Sequence, residues 1–210
     1  MRMIRLSTAA LVLVLAVTLP AHADFDHATV AFEKGDYAQA LAELRPLAKQ
    51  GDPRSQYAMG VMAENGFGMP KDLEQAAAWY RKAADQGNTD AQFNLGAMYE
   101  HGIGMPVNYA QAARWYRPAA ESGDLDALSN LGVLYETGRG VQQDKVIALA
   151  LYNVSVAFDT GKDSQAERNR QGLANRMSLD EVKRAMALTD QLLKPNQLKP
   201  GLQAYWRRQK

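Results

Sequence analysis

Three near-copies of one segment follow one another at a constant interval, and that interval limits the folds open to the chain. NGFGMPKD occupies 65–72, HGIGMPVN 101–108 and TGRGVQQD 137–144, each copy starting 36 residues after the last. A Gly-x-Gly beside an acidic residue suggests a phosphate-cradling loop when it follows a strand and occurs once. A cofactor loop has no reason to recur at a fixed period. A period of about 20–50 residues instead marks stacked structural units. The glycine pairs are therefore read as turn chemistry.

Aligned at this offset, the stretches 52–87, 88–123 and 124–159 each contain two helical patterns. In the middle copy Ala91, Leu95, Met98 and Tyr99 fall at i, i+4, i+7 and i+8, one face of a helix. The second pattern carries Ala112, Ala113, Trp115, Tyr116, Ala119 and Ala120, where rings beside alanines suit closely approaching helices. Gly60, Gly96 and Gly132 recur inside the first helix, each at a cost of ~1 kcal/mol relative to alanine. A cost repeated in every unit implies a steric need, room for a neighbouring ring, rather than a hinge. Between the two patterns, Gly66, Gly102 and Gly138 are placed to end a helix in the left-handed conformation. Pro70 and Pro106 prevent its continuation, and Asp72, Asn108 and Asp144 are N-caps for the next helix.

The stretch AQFNLGAMYEHGIGMPVNYAQAARWYRPAAESG and its two equivalents resemble the Sel1-like repeat family, a relative of the tetratricopeptide repeat. Ala63 departs from the pattern at the tyrosine of Tyr99 and Tyr135, and Leu151 at the tryptophan of Trp79 and Trp115. The resemblance implies an all-α solenoid of about four helix pairs. The units are a short tetratricopeptide-like one at 24–51, then 52–87, 88–123 and 124–161. It also implies a closing pair of helices at 162–193, where Ser178 and Glu181 form a capping box. Arg45-Pro46 aligns with Arg117-Pro118, so each proline is expected to bend its helix. From Lys194 onward there are five basic residues, no acidic ones, two prolines and a glycine. That composition predicts a basic, flexible tail at 194–210. The alternatives are a tail folded back on its own acidic body, or Tyr205, Trp206, Arg207 and Arg208 binding an anionic partner or membrane surface.

Residues 1–23 read as a secretory signal, with a basic start, an uncharged run from Leu6 to Leu19, and Ala21-His22-Ala23 for cleavage. A membrane anchor is the alternative, but the run is short for one. The expected location is the periplasm or the exterior, and without cysteine there is no lipid-anchor site. Removing the signal leaves 22 basic and 23 acidic residues, which argues against nucleic acid. The absence of cysteine also excludes disulfides, thiolate metal sites and a cysteine nucleophile.

No catalytic motif is present, and no cofactor or metal is expected. His27 and His101 are the mature chain's histidines, and they do not form a metal-spaced pair. Glu64, Glu100 and Glu136 recur at 36 and read as a solvated ladder or a binding stripe, too far apart for paired acid–base work. What remains is surface. The concave face of such a solenoid is lined mainly by the first helices. Gln56, Tyr57, Gln92, Phe93, Asn94 and Asn130 are its candidate contacts for a peptide backbone. Asn94 and Asn130 read equally well as stabilisers of the helix pair. The resemblance implies a protein- or peptide-binding scaffold or regulator, not an enzyme. The rivals are an envelope enzyme acting on peptidoglycan or a β-lactam, and a polysaccharide or membrane-surface binder using the tail; family members linked to the former are cysteine-rich.

Overall fold

The computed structural model describes residues 25–159 and 164–208, and the regular elements there are all α-helices. The secretory segment expected at 1–23 lies outside the described residues. In chain order the helices are α1 (Phe25–Glu33), α2 (Tyr37–Gln50), α3 (Pro53–Asn65), α4 (Leu73–Asp85), α5 (Thr89–His101) and α6 (Tyr109–Glu121). They continue with α7 (Leu125–Thr137), α8 (Lys145–Phe158), α9 (Gln165–Ala174), α10 (Leu179–Leu192) and α11 (Leu198–Arg207). Through α8 each helix packs against its neighbours in the chain, as stacked hairpins must. Among the described residues no helix is long and apolar enough to cross a membrane.

Capping sets where the repeated helices start. Asp52, Asn88 and Asp124 accept from backbone amides at the starts of α3, α5 and α7; Asp72, Asn108 and Asp144 do so for α4, α6 and α8. Each such cap contributes ~1 kcal/mol by satisfying an otherwise orphaned donor. The two glycines of the turn have different tasks. Gly102, at φ +71°, ends α5 in the left-handed region and donates to Met98 O. Gly104, at φ +68°, lies against the first turn of α4 in the preceding unit, where an added Cβ would sit 2.8 Å from the Leu73 carbonyl. Gly68 meets the backbone of Tyr37 and Gly140 that of Tyr109 in the same way. Gly-x-Gly is thus one helix stop and one contact between units.

Inside each pair a tyrosine ring of the second helix lies directly on a glycine of the first. A Cβ on Gly96 would approach the Tyr116 ring to 2.7 Å, and Gly60 with Tyr80 and Gly132 with Tyr152 repeat the contact at 2.5 and 2.6 Å. All three rings are fully buried. Alanines 76, 77, 83 and 84 on α4, and 112, 113, 119 and 120 on α6, fill the space around them. Pro46 and Pro118 sit inside α2 and α6, and both helices continue past them.

The C-terminal end departs from the expectation of a flexible tail. Residues 198–207 form α11, which packs on α6 and α10. Pro195 precedes the helix and Pro200 lies in its first turn, where a missing amide hydrogen costs little. Gly201 lets Leu192 approach to 2.7 Å of where a Cβ would be, and Leu202 and Trp206 are buried. Trp206 joins the core cluster that contains Leu151, the position where the two preceding units carry Trp79 and Trp115. Polar contacts fix the helix on the acidic body. Gln203 Nε2 donates to Glu121 at 2.8 Å, Tyr205 Oη donates to Asp144 at 2.5 Å, and Arg117 lies 5.5 Å from the Trp206 ring. Buried beside Asp144, the Tyr205 hydroxyl is pushed far above the usual tyrosine range.

Two glycine substitutions should therefore act in opposite directions. Gly96→Ala is expected to destabilise by about 1–3 kcal/mol, because the Tyr116 ring must shift in a filled core. Gly172→Ala, in α9 with nothing within 4 Å of the new Cβ, should stabilise by about 0.5–1 kcal/mol. Urea unfolding of both variants measures the two signs.

Candidate functional site

The buried tyrosines hold a second repeated contact, and it organises one face of the molecule. Tyr80 Oη donates to Glu64 at 2.6 Å, Tyr116 Oη to Glu100 at 2.8 Å and Tyr152 Oη to Glu136 at 2.8 Å. Each glutamate sits near the end of a first helix, sixteen residues before its tyrosine. Burial first, and the adjacent carboxylate as well, push all three phenols far above the usual range. The hydroxyls therefore stay protonated donors at any physiological pH. The three carboxylates are held half-buried, each in the same orientation by its phenol, which departs from the solvated ladder, one of the two readings of their spacing.

The next unit reaches back to the same hydroxyls. Asn130 Nδ2 donates to Tyr116 Oη at 3.3 Å, and Asn94 occupies the equivalent place in its unit, beside Tyr80 and Tyr57. Beside them the Tyr57 ring tilts over Tyr80 at 5.7 Å and the Phe93 ring over Tyr116 at 5.8 Å. Tyr57, Val61 and Glu64 are spaced i, i+4, i+7, so they run along one side of α3; Phe93, Ala97 and Glu100 do the same on α5. Ser129, Val133 and Glu136 follow on α7. Tyr57, Phe93, Asn94 and Asn130 thus share a half-buried stripe of rings, amides and carboxylates.

Gln56 and Gln92 do not belong to it, which corrects their assignment as contacts. Both are buried. Gln56 Nε2 donates to Ala48 O at 3.1 Å and its Oε1 accepts from Gln86 at 2.7 Å. Gln92 Nε2 donates to Ala84 O at 3.1 Å, while its Oε1 has no partner among the described residues. Each adds a second donor to a carbonyl in the last turn of the preceding helix that already accepts from a backbone amide. Position in the repeat did not reveal this, because adjacent residues on a helix point about 100° apart.

Sequence reasoning also missed Arg176. It lies in the turn after α9, and its Nη2 meets Glu136 Oε1 at 2.5 Å while Nε donates to Gly172 O. It falls outside the periodic units, so no spacing pointed to it. The Glu–Tyr pairs themselves carried a readable signal, a constant sixteen-residue separation in three copies.

Elsewhere the chemistry is sparse. His27 pairs with Glu43 at 2.9 Å on the surface, and His101 is exposed in the last turn of α5. No group of three potential metal-ligating side chains occurs among the described residues. A cleft of about 690 Å³ lies between α8, α9 and α10 and is lined by Asn153, Arg170, Met186 and Thr189. A smaller apolar hollow of about 240 Å³ adjoins the stripe at Phe25, Phe32, Tyr57 and Val61.

The Sel1 repeat profile matches residues 53–88, 89–124 and 125–162. A Sel1 repeat protein from Oxalobacter formigenes is similar in structure, with a TM-score of 0.66 and 30% identity over 77% of this chain and 62% of that one. A protective antigen of uropathogenic Escherichia coli strains, displaying an SLR fold, aligns with a TM-score of 0.69 and 27% identity over 89% of this chain. The chain spans 62% and 43% of these two relatives' own lengths. None of the curated proteins compared with it matches.

The buried glutamines provide a graded test. Gln56→Leu removes two hydrogen bonds and should cost about 1–3 kcal/mol. Gln92→Leu should be near neutral, because only one bond is lost and the third unit already carries Leu128 there. Equal losses for the two in denaturant unfolding would contradict the assigned partners.

Proposed function

Because this chain belongs to the Sel1 repeat family, we propose that it is an exported scaffold or regulator that receives a protein or peptide segment along the concave face formed by its first helices. The observation that supports the reading is the stripe of Tyr57, Glu64, Phe93, Asn94, Glu100, Asn130 and Glu136, presented in register by the repeat. Rings on such a face offer apolar contact. Amides and carboxylates offer fixed hydrogen-bonding positions, the mix an extended segment needs. The location in the cell envelope rests on the sequence of residues 1–23 alone.

The enzymatic rival finds little to work with. The titratable groups of the stripe are repeated one per unit rather than converged on one point, and each phenol is committed to its carboxylate. The tail rival has little free aromatic surface to use, since Trp206 is 8% exposed and Tyr205 is half-buried and bonded to Asp144. Arg207 and Arg208 remain exposed.

A photo-reactive residue placed in intact cells at Phe93 or Val133 should cross-link a partner, and one at Ala110 on the outer side of α6 should not. Phe93→Ser, which copies the third unit's Ser129, should weaken recovery of the same adduct at Val133 by about tenfold without unfolding the protein. Equal adducts from Ala110 would overturn the reading.

A further inference from the structure

The three Glu–Tyr pairs are equivalent by repeat, yet among the described residues a cation meets only one of them. Arg176 places its guanidinium on Glu136, with Nη2 2.5 Å from Oε1, while Tyr152 holds Oε2 of the same carboxylate at 2.8 Å. Tyr80 orients Glu64 and Tyr116 orients Glu100 through the same Oε2 contact. Among the described residues neither of these two glutamates forms an ion pair. Arg176 therefore displays, in the molecule itself, how this recurring site takes a cation.

We infer that Glu64–Tyr80 and Glu100–Tyr116 are receptor sites for arginine side chains of an extended partner peptide, with Arg176 as the built-in occupant of the third. This deepens the peptide-binding reading above and rests on it. Several observations favour a guanidinium over other occupants. The phenol fixes the carboxylate plane and leaves Oε1 as acceptor, which suits the planar fork of arginine better than a rotating ammonium. Residues 24–193 hold 17 basic and 23 acidic residues, so the body as a whole attracts a cationic segment. The rings of Tyr57 and Phe93 lie on the same face and offer apolar contact for residues between the arginines.

Repeat spacing also sets a length. Packed helices lie about 8–10 Å apart, so stacked units place equivalent groups on the order of 10 Å or more from each other. A polyproline II segment has three residues per turn and rises about 3.1 Å per residue, so side chains at i and i+3 share one side about 9 Å apart. The expected motif is Arg-x-x-Arg in that conformation.

The test uses a fluorescein-labelled peptide containing Arg-Pro-Pro-Arg, with matched peptides carrying citrulline or lysine in place of arginine. Fluorescence anisotropy at low salt should show the arginine peptide binding about tenfold tighter than the citrulline peptide, with lysine between, and the difference shrinking as salt rises. Glu64→Gln and Glu100→Gln should each weaken the arginine peptide several-fold. Glutamine still accepts the tyrosine hydroxyl, so unchanged thermal unfolding would show that the fold persists. Glu74→Gln, on the outside of α4, should change nothing. Arg176→Gln should open the third site and strengthen binding of a peptide with Arg-Pro-Pro-Arg-Pro-Pro-Arg. Equal binding of arginine and citrulline peptides, or indifference to both glutamate changes, overturns the assignment. If Phe93 still cross-links a partner in that case, the interaction face stands and only the arginine preference falls; if Phe93 yields no adduct either, both fall.

Discussion

The contact between a tyrosine ring and a missing side chain is what the rest of this molecule depends on. Gly60, Gly96 and Gly132 leave just enough room for Tyr80, Tyr116 and Tyr152 to lie flat on the partner helix. That closeness sets the distance between the helices of a pair. It also sets where the phenol hydroxyl emerges, which is at a carboxylate near the end of the same first helix. A residue with a Cβ at the glycine would displace the ring and, with it, the polar contact at its tip. Packing and surface chemistry are thus consequences of one constraint, and they repeat together.

Cohesion between units combines shared apolar clusters with polar and glycine-mediated contacts. Gln56 and Gln92 reach the last turns of α2 and α4, Asn94 and Asn130 reach the preceding unit's tyrosine, and Gly68, Gly104 and Gly140 touch its second helix. Arg81 and Arg117 donate to Tyr99 and Tyr135 across the same junctions. Such contacts are local, so each junction can form once two neighbouring units are present. The C-terminal end needs another solution. There α9 and α10 cover α8, and α11 folds back to supply Trp206 near a unit that has Leu151 instead of tryptophan.

A face built this way has properties that a single-copy cleft would not. Its groups return at one interval, so it suits a ligand that is itself periodic or extended. Its phenols are held protonated by burial and by their carboxylates, so these donors keep their role across ordinary pH. Among the described residues Arg176 pairs with Glu136 alone of the three glutamates, which makes the face asymmetric along its length.

The sequence by itself determined the helix pairs, their turns and their period, because caps and left-handed glycines act over a few residues, ring-on-glycine packing acts within one helix pair, and all leave their mark in every copy. It also contained the Glu–Tyr pairs, legible as a constant separation, though spacing alone left the glutamates between a solvated ladder and a binding stripe. Only the tertiary structure decided which of the candidate contacts face outward. Gln56 and Tyr57 are neighbours in the chain, yet one is buried against a carbonyl and the other lies on the stripe, a difference of helix rotation that depends on the neighbouring helix. The docking of α11 and the arrival of Arg176 at Glu136 were likewise beyond local rules. Both join segments 40 residues or more apart in the chain, and what holds them is complementarity of shape and charge that exists only once the units have stacked.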